Sequence, residues 1–408
     1  MQEAAVSGVG LLGSRDRSAS RLRFLRKQVT PQVSMPIRSA PPSGHSLGKV
    51  LFSYFPVTSA TPDSECARHS NVWESREIVR ILNRMDRTVD AIDWTDDRFH
   101  PQEHYEMVFD IYTNLQRLYP FVDSSTRRVL HLTGQYYVYQ NLAEIRRVED
   151  LERRTGKLYS PKRLVKSPEL FERSLRLAHI CSLIGNEHTL ATFPEKYHHK
   201  IRLVTVSASL LRRVKSRAQF VPQQREFIWF FGGGAVHKGL DLVLEVFDRH
   251  PELTLNVIGD VESERDFMLI YGDLLTRRSN IHYHGYLSPS SDEFRQITDR
   301  SFCFVAPSCS ESISSAAATM MQVGLYPIIS RETGVTLPTD CGIYLEKCTH
   351  DEIERSVLQV HQTESEELTD QIDLCQRYAL VQFSRGEFSR QMERFLSECL
   401  ASEFVDMI

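Results

Sequence analysis

The 408-residue chain has no apolar run of about 18 residues, so no segment reads as a membrane-spanning helix. Charge of one sign is missing too. Lys and Arg number 49 against 53 Asp and Glu, a net charge of −4 that argues against nucleic acid as a partner. The eight cysteines (66, 181, 303, 309, 341, 348, 375 and 399) show no CxxC spacing, and Cys181 and Cys303 sit inside apolar runs. They read as buried reduced thiols rather than a disulfide framework, a redox couple or a zinc site, and they fit a reducing cytoplasm. His198-His199 and the His282-Tyr283-His284 run lack a carboxylate or thiol at ligand spacing, so no metal is expected. What remains is 41% hydrophobic and 25% charged, which excludes a disordered or collagen-like chain and gives about two to three domains' worth of globular sequence.

Residues 1–48 stand apart, with seven basic residues against two acidic ones, Ser, Pro and Gly clusters and no sustained periodicity. They read as a disordered basic leader with scope for contact with an anionic membrane. From 49 the text alternates short apolar runs with helical spacing: strands near 50–55, 89–94, 107–111, 129–132, 180–184 and 201–206, with a helix from about 70 to 85. Residues 141–178 are crowded with Arg, Lys and Glu, which reads as a solvated helical face, or else as a basic surface for an anionic acceptor or headgroup. A charged, Gln- and Arg-rich stretch at 212–226 reads as a linker. The alternation then repeats, with strands near 227–231, 253–258, 281–283, 302–306 and 326–329. The expectation is an α/β protein of two Rossmann-like domains, 49–211 and 227–383, facing across a cleft that binds ligands beyond the carboxyl ends of the strands. A last helix, 384–408, would cross back to bury Phe388 and Phe395 on the first domain.

Two passages carry chemistry. The first is the run Gly232-Gly233-Gly234-Ala235-Val236-His237-Lys238-Gly239, between an apolar strand and a helix. Glycines let backbone approach an anion, a helix N-terminus presents free N–H groups, and Lys238 adds a full charge. The passage is neither a P-loop nor a GxGxxG fingerprint, so an oxidoreductase on a Rossmann sheet is a poor fit; a plain tight turn is the simpler alternative. The second is Pro307-Ser308-Cys309-Ser310-Glu311-Ser312-Ile313-Ser314, between a buried strand and a helix. There Glu311 either caps the helix or accepts hydrogen bonds from sugar hydroxyls while backbone N–H groups hold phosphate.

Taken in order, these passages, with Gly259-Asp260, His284-Gly285-Tyr286-Leu287 and Gly324-Leu325-Tyr326-Pro327 between and after them, resemble the donor-binding half of retaining GT-B glycosyltransferases of the family 4 (group 1) type. The resemblance covers about 227–345. It is looser over 49–210, where Tyr54, the segment 69–74, His131-Leu132-Thr133-Gly134 and Gly185-Asn186-Glu187 look like the acceptor half. The resemblance implies that Lys238 neutralises a donor diphosphate above the turn of Gly232, Gly233 and Gly234. It places Tyr286 and Leu287 at the nucleobase, Glu311 at the donor sugar, and Ser308, Ser312, Ile313 and Ser314 along sugar and phosphate. On the acceptor side it implies His69, Asn71, His131, Thr133 and Gly134, with His69 or His131 standing in for a histidine that relatives often carry.

Two departures stand out. Position 319, where relatives carry the second acid of a Glu-x7-Glu pattern, is Thr319, and Ala235 follows the glycine turn where relatives often have Arg. The expected function is transfer of a sugar, with retention, from a UDP- or GDP-sugar co-substrate to a glycan, lipid-linked or small-molecule acceptor. No metal and no further cofactor are expected. The expected place is the cytoplasm, with peripheral contact at the inner membrane face. The alternative is a catalytically impaired relative that binds nucleotide or glycan as a partner protein.

Overall fold

The computed structural model describes residues 35–66, 70–208 and 226–401. These build two α/β domains of the Rossmann type, each around one sheet. The first sheet contains β1 (Ile37–Ser39), β2 (Gly48–Tyr54), β3 (Arg87–Asp93), β4 (Met107–Asp110), β5 (Arg127–Leu132), β6 (Ile180–Ile184) and β7 (Ile201–Val204), in the order β1-β3-β2-β4-β5-β6-β7. All its pairings are parallel except β1 on β3. Parallel strands covered by helices on both faces are buried throughout, which is why β6 is an unbroken apolar or small-residue run rather than an alternating one.

The second sheet contains β8 (Glu226–Phe230), β9 (Thr254–Ile258), β10 (Ile281–Tyr283), β11 (Ser301–Ala306), β12 (Tyr326–Ser330) and β13 (Ile343–Leu345). It is wholly parallel, in the order β10-β9-β8-β11-β12-β13. The order reverses between β8 and β11, where an open α/β sheet leaves a crevice for ligand.

The stretch 1–48, expected as a disordered leader, contains β1 and the first residue of β2. Arg38 gives two hydrogen bonds of 2.7 Å to the wholly buried Asp90 of β3, 52 residues away, and the Tyr105 hydroxyl gives Asp90 a third at 2.8 Å. A three-residue edge strand held by a distant carboxylate leaves no periodicity for composition to show. Residues 1–34, His69, positions 212–225 of the expected linker and residues 402–408 lie outside the described residues.

The last two helices of the described residues are Ser365–Gln382 and Arg385–Ala401. The second lies on the helix Ser70–Arg84, with the Phe388 and Trp73 rings edge to face at 5.8 Å and the Ser389 hydroxyl donating to Glu77 at 3.1 Å. Phe383, Phe388 and Phe395 are all buried.

On the same helix, Glu74 is wholly buried and accepts from the backbone N–H and hydroxyl of Ser207, just past β7, at 2.9 and 3.0 Å. Burial pushes its carboxyl up from 4.5 to about 7. A raised carboxyl pKa means the group's contribution to stability is complete below pH 4.5 and is lost as pH rises toward 7. Glu74→Gln keeps the acceptor and removes the proton. Its stability relative to the parent should therefore climb by up to about 3 kcal/mol between pH 4.5 and pH 8. Urea midpoints measured across that range check this; a constant difference would overturn it.

Candidate functional site

The reversal of strand order puts the loop after β8 against the loop after β11. The first loop is held from below: the Lys238 N–H donates to the Gly234 carbonyl at 2.8 Å, and the buried Trp229 indole of β8 donates to the Lys238 carbonyl at 3.2 Å. Gly239 has φ +71°, and a Cβ there would stand 2.6 Å from the Pro307 carbonyl, so only glycine lets the two loops meet. Lys238 is 6% exposed. Its ammonium lies over the Phe231 ring, 5.3 Å from the centroid, and is ion-paired with Glu311. Burial, and next the charge of Arg163, push the lysine's pKa well below its ordinary value, while the charge of Glu144 acts the other way. On the second loop, the Ser308 hydroxyl donates to Glu311 at 3.4 Å and the Ser308 carbonyl accepts from Ser330 at 2.7 Å.

Three further carboxylates frame this pair. Glu264, at the start of the helix Arg265–Arg277, accepts from the N–H groups of Gly234 and Ala235 at 2.5 and 3.0 Å and from the Tyr159 hydroxyl at 2.6 Å. Two of the glycine-loop amides expected to cradle phosphate are thus held by the protein's own carboxylate, leaving Gly232 and Gly233 exposed at the tip. Glu144, buried on the helix Tyr137–Thr155, accepts from the N–H groups of Lys162 and Arg163, both at 2.7 Å. It also stands 3.6 Å from Nδ1 of the buried His237. His237 donates from Nε2 to the Ser310 carbonyl at 2.6 Å, and burial pushes it down to about 4, so the imidazole is neutral. Glu332, just past β12, accepts from Gln135 at 2.6 Å and Tyr139 at 2.7 Å, and meets His188 Nε2 at 3.1 Å. Gln135 in turn accepts from the Ser310 hydroxyl at 2.5 Å. Residues of the first domain therefore grip both loops of the second. The helix expected as a solvated face is part of this grip: Arg154 pairs with the buried Asp241 and with Glu245, and Arg147 donates to the Pro307 carbonyl at 3.0 Å.

The remaining expected residues fall as follows. Tyr286, 60% exposed, and the half-buried Leu287 lie on the loop after β10. Ser312 and Ile313 are buried, and Ser314 caps the helix Ser315–Gln322 by accepting from the Ala317 N–H at 3.4 Å. Thr319 is buried and donates to the Ser315 carbonyl of its own helix at 2.7 Å. Asn71 lies in the first turn of the helix Ser70–Arg84, exposed Thr133 and half-buried Gly134 lead into Gln135, and His69 is outside the described residues.

His131 is the expected acceptor-side residue that the structure removes from the surface. It is wholly buried between the Tyr54 and Phe109 rings, with Nδ1 2.8 Å from the Ser182 hydroxyl, and burial pushes its pKa down to about 3. It is a core imidazole of β5, both of whose faces are covered. A cavity of about 530 Å³ opens nearby, lined by Asn186, Thr205, Ile313, Thr336, Tyr378 and Arg394 among others, but the Lys238–Glu311 contact does not line it. Among the described residues no three His, Cys, Asp or Glu side chains converge as a metal-ligand set.

Residues 212–372, the stretch that carries both loops, match the family model for glycosyl transferases group 1. No curated protein sequence matches the chain. Among solved structures the chain is similar to Anabaena HepE in complex with UDP and glucose, with a TM-score of 0.55 and 10% identity over 87% of this chain and 100% of that one. It is also similar to WaaG, a glycosyltransferase involved in lipopolysaccharide biosynthesis, with a TM-score of 0.54 and 13% identity over 87% of this chain and 100% of that one. A third is a variant of S. aureus TarM in complex with Fondaparinux, alpha-GlcNAc-glycerol and UDP, with a TM-score of 0.52 and 10% identity over 72% of this chain and 55% of that one. The chain thus spans about half the length of TarM. The fold is GT-B, and the match to the group 1 glycosyl transferases lies in residues 212–372.

The Gly239 contact is directly testable. Gly239→Ala should lower stability by about 1–3 kcal/mol, since it combines a left-handed backbone with a collision against the Pro307 carbonyl. An unchanged urea midpoint would show that the two loops are not packed this way.

Proposed function

We propose that the protein transfers a sugar, with retention, from a nucleotide-diphosphate sugar to a glycan, lipid-linked or small-molecule acceptor. The observation that carries this is the contact of Lys238 with Glu311 at the reversal of strand order between β8 and β11. A diphosphate entering the crevice takes over the ammonium from Glu311. The carboxylate so released is free to accept hydrogen bonds from sugar hydroxyls. As the glycosidic bond breaks, charge builds on the departing diphosphate, and a preorganised cation in a water-poor site is worth most there. The contacts of Gln135, Tyr139 and His188 with Glu332 close the first domain over the loops, which limits loss of donor to water. The UDP bound by HepE and by TarM supports a uridine nucleotide as the first donor to try. The eight free cysteines support a reducing cytoplasm. No helix of the described residues is long and apolar enough to cross a membrane.

The test uses a panel of UDP-, GDP- and ADP-sugars. The parent should slowly hydrolyse at least one of them. Lys238→Ala should weaken binding of the matching free diphosphate by about ten- to a hundredfold, the loss of one charge-assisted contact. Glu311→Gln should hold or tighten that affinity, because it removes the competitor for Lys238, while transfer from the intact nucleotide sugar falls by a large factor. It should also destabilise the empty protein, since a buried ammonium is left beside a neutral amide, and the diphosphate should restore that stability. Normal turnover by Glu311→Gln would sink the role of this carboxylate. Diphosphate binding without turnover of any nucleotide sugar would favour the impaired, partner-protein reading.

A further inference from the structure

Arg163 belongs to the first half of the chain, on the segment after the helix Tyr137–Thr155, yet its side chain reaches the glycine turn of the second half. Its backbone is tied at both ends to that helix: the N–H donates to Glu144 at 2.7 Å, and the carbonyl accepts from Gln140 at 2.6 Å. From there its stem lies over Gly234, which has φ +90°. A Cβ on Gly234 would stand 2.9 Å from Arg163 Cγ and 3.2 Å from Cδ. The bare glycine is what makes room for the arginine. Its guanidinium is exposed and makes no hydrogen bond or ion pair with a described residue, although its charge is felt by Lys238. Two cations therefore share the mouth of the crevice while Glu311 pairs with only one of them. Like charges held near one another by a fixed backbone form an arrangement that a doubly charged ligand completes.

We propose that Arg163 is a binding residue for the donor diphosphate, supplying from the first domain the guanidinium that the glycine turn lacks. This rests on the glycosyltransferase reading. It explains why Ala235 can follow the turn without loss of charge at the phosphates, and it gives the donor a bridging role. Lys238 comes from one domain and Arg163 from the other, so a diphosphate held by both draws the two together. The guanidinium fork then meets phosphate oxygens as Lys238 meets them as a point charge.

The experiment measures binding of UDP, GDP, ADP and inorganic pyrophosphate to the full chain by calorimetry at two salt concentrations. Arg163→Met keeps an apolar stem over Gly234 and removes the charge. It should weaken the diphosphate that binds the parent by about tenfold or more and flatten the salt dependence. The second variant is Arg163→Met with Gly233→Arg. A Cβ on Gly233 meets nothing nearer than Glu264 at 3.9 Å, so an arginine fits there and returns the charge to the turn. Recovery of most of the affinity supports the proposal, because a packing role for Arg163 is not rescued by a charge placed elsewhere. Equal binding by the parent and Arg163→Met overturns it and leaves the glycosyltransferase reading standing. Weakening that the relocated arginine does not recover also overturns it, in favour of packing. A parent that binds none of the four ligands overturns both.

Discussion

An ammonium group buried next to an aromatic ring is the constraint from which the rest of the site follows. Taking a charge out of water costs several kcal/mol unless a counter-charge goes with it. The backbone of Lys238 is fixed, its carbonyl accepting from Trp229 and its N–H donating to Gly234, and its side chain is buried. The counter-charge must therefore come from the neighbouring loop, and the strand order decides which loop that is. With β8 beside β11, the loop after β11 brings Glu311 to the ammonium. Gly239 and Pro307, in close contact, set how near the loops can come. One ion pair thus ties together topology, a glycine and a serine-rich loop that lie about 70 positions apart in the chain.

The other acids of the site obey the same rule with different partners. Glu264 is satisfied by two loop amides and a tyrosine, Glu144 by the amides of Lys162 and Arg163, and Glu332 by Gln135, Tyr139 and His188. Each carboxylate takes up N–H or O–H groups that would be costly to leave unpaired. The pattern also sorts the site into parts. Glu264 shapes the glycine loop and keeps two of its amides out of reach of ligand. Glu144 fixes a segment of the first domain from which Arg163 projects. Glu332 joins the domains through neutral or titratable side chains, contacts that can part and re-form more readily than a buried ion pair.

Much of this is legible in the residues, for definable reasons. Strands of a covered parallel sheet are apolar throughout, so they stand out as runs such as 227–231 and 302–306. The two loops are legible because a plain turn has no need of a lysine and a carboxylate, in order, each between a strand and a helix. Edge strand β1 is hidden because its stabilising partner, Asp90, is remote in sequence. Glu264, Glu332 and Gln135 are hidden because each is an ordinary polar residue whose role depends on what the other domain places beside it; only Glu264, at a helix start, leaves a local signal. The helix Tyr137–Thr155 misleads for a related reason. Charge spacing locates a charged face but not what it meets, and here Arg147 and Arg154 meet a loop carbonyl and a buried aspartate. His131 misleads in the opposite sense, as a site residue: a strand covered on both faces leaves no side for a histidine to show.

On the proposed reading, Glu311 keeps Lys238 paired until the donor arrives. Its contact neutralises Lys238, so the ammonium is not buried alone. On the proposed reading a diphosphate exchanges for it, anion for anion, and the lysine stays paired throughout. Because the desolvation of the lysine is already met by the fold, little of the binding free energy is needed to bury it. The released carboxylate is then held within reach of the sugar by the same loop, through Ser308 and the close seating of Pro307 on Gly239. When the sugar leaves, the diphosphate gains charge at the place where Lys238, and on the further proposal Arg163, are already fixed. The interaction therefore strengthens along the reaction rather than at binding, and a cation must strengthen there to lower a barrier rather than merely hold a substrate.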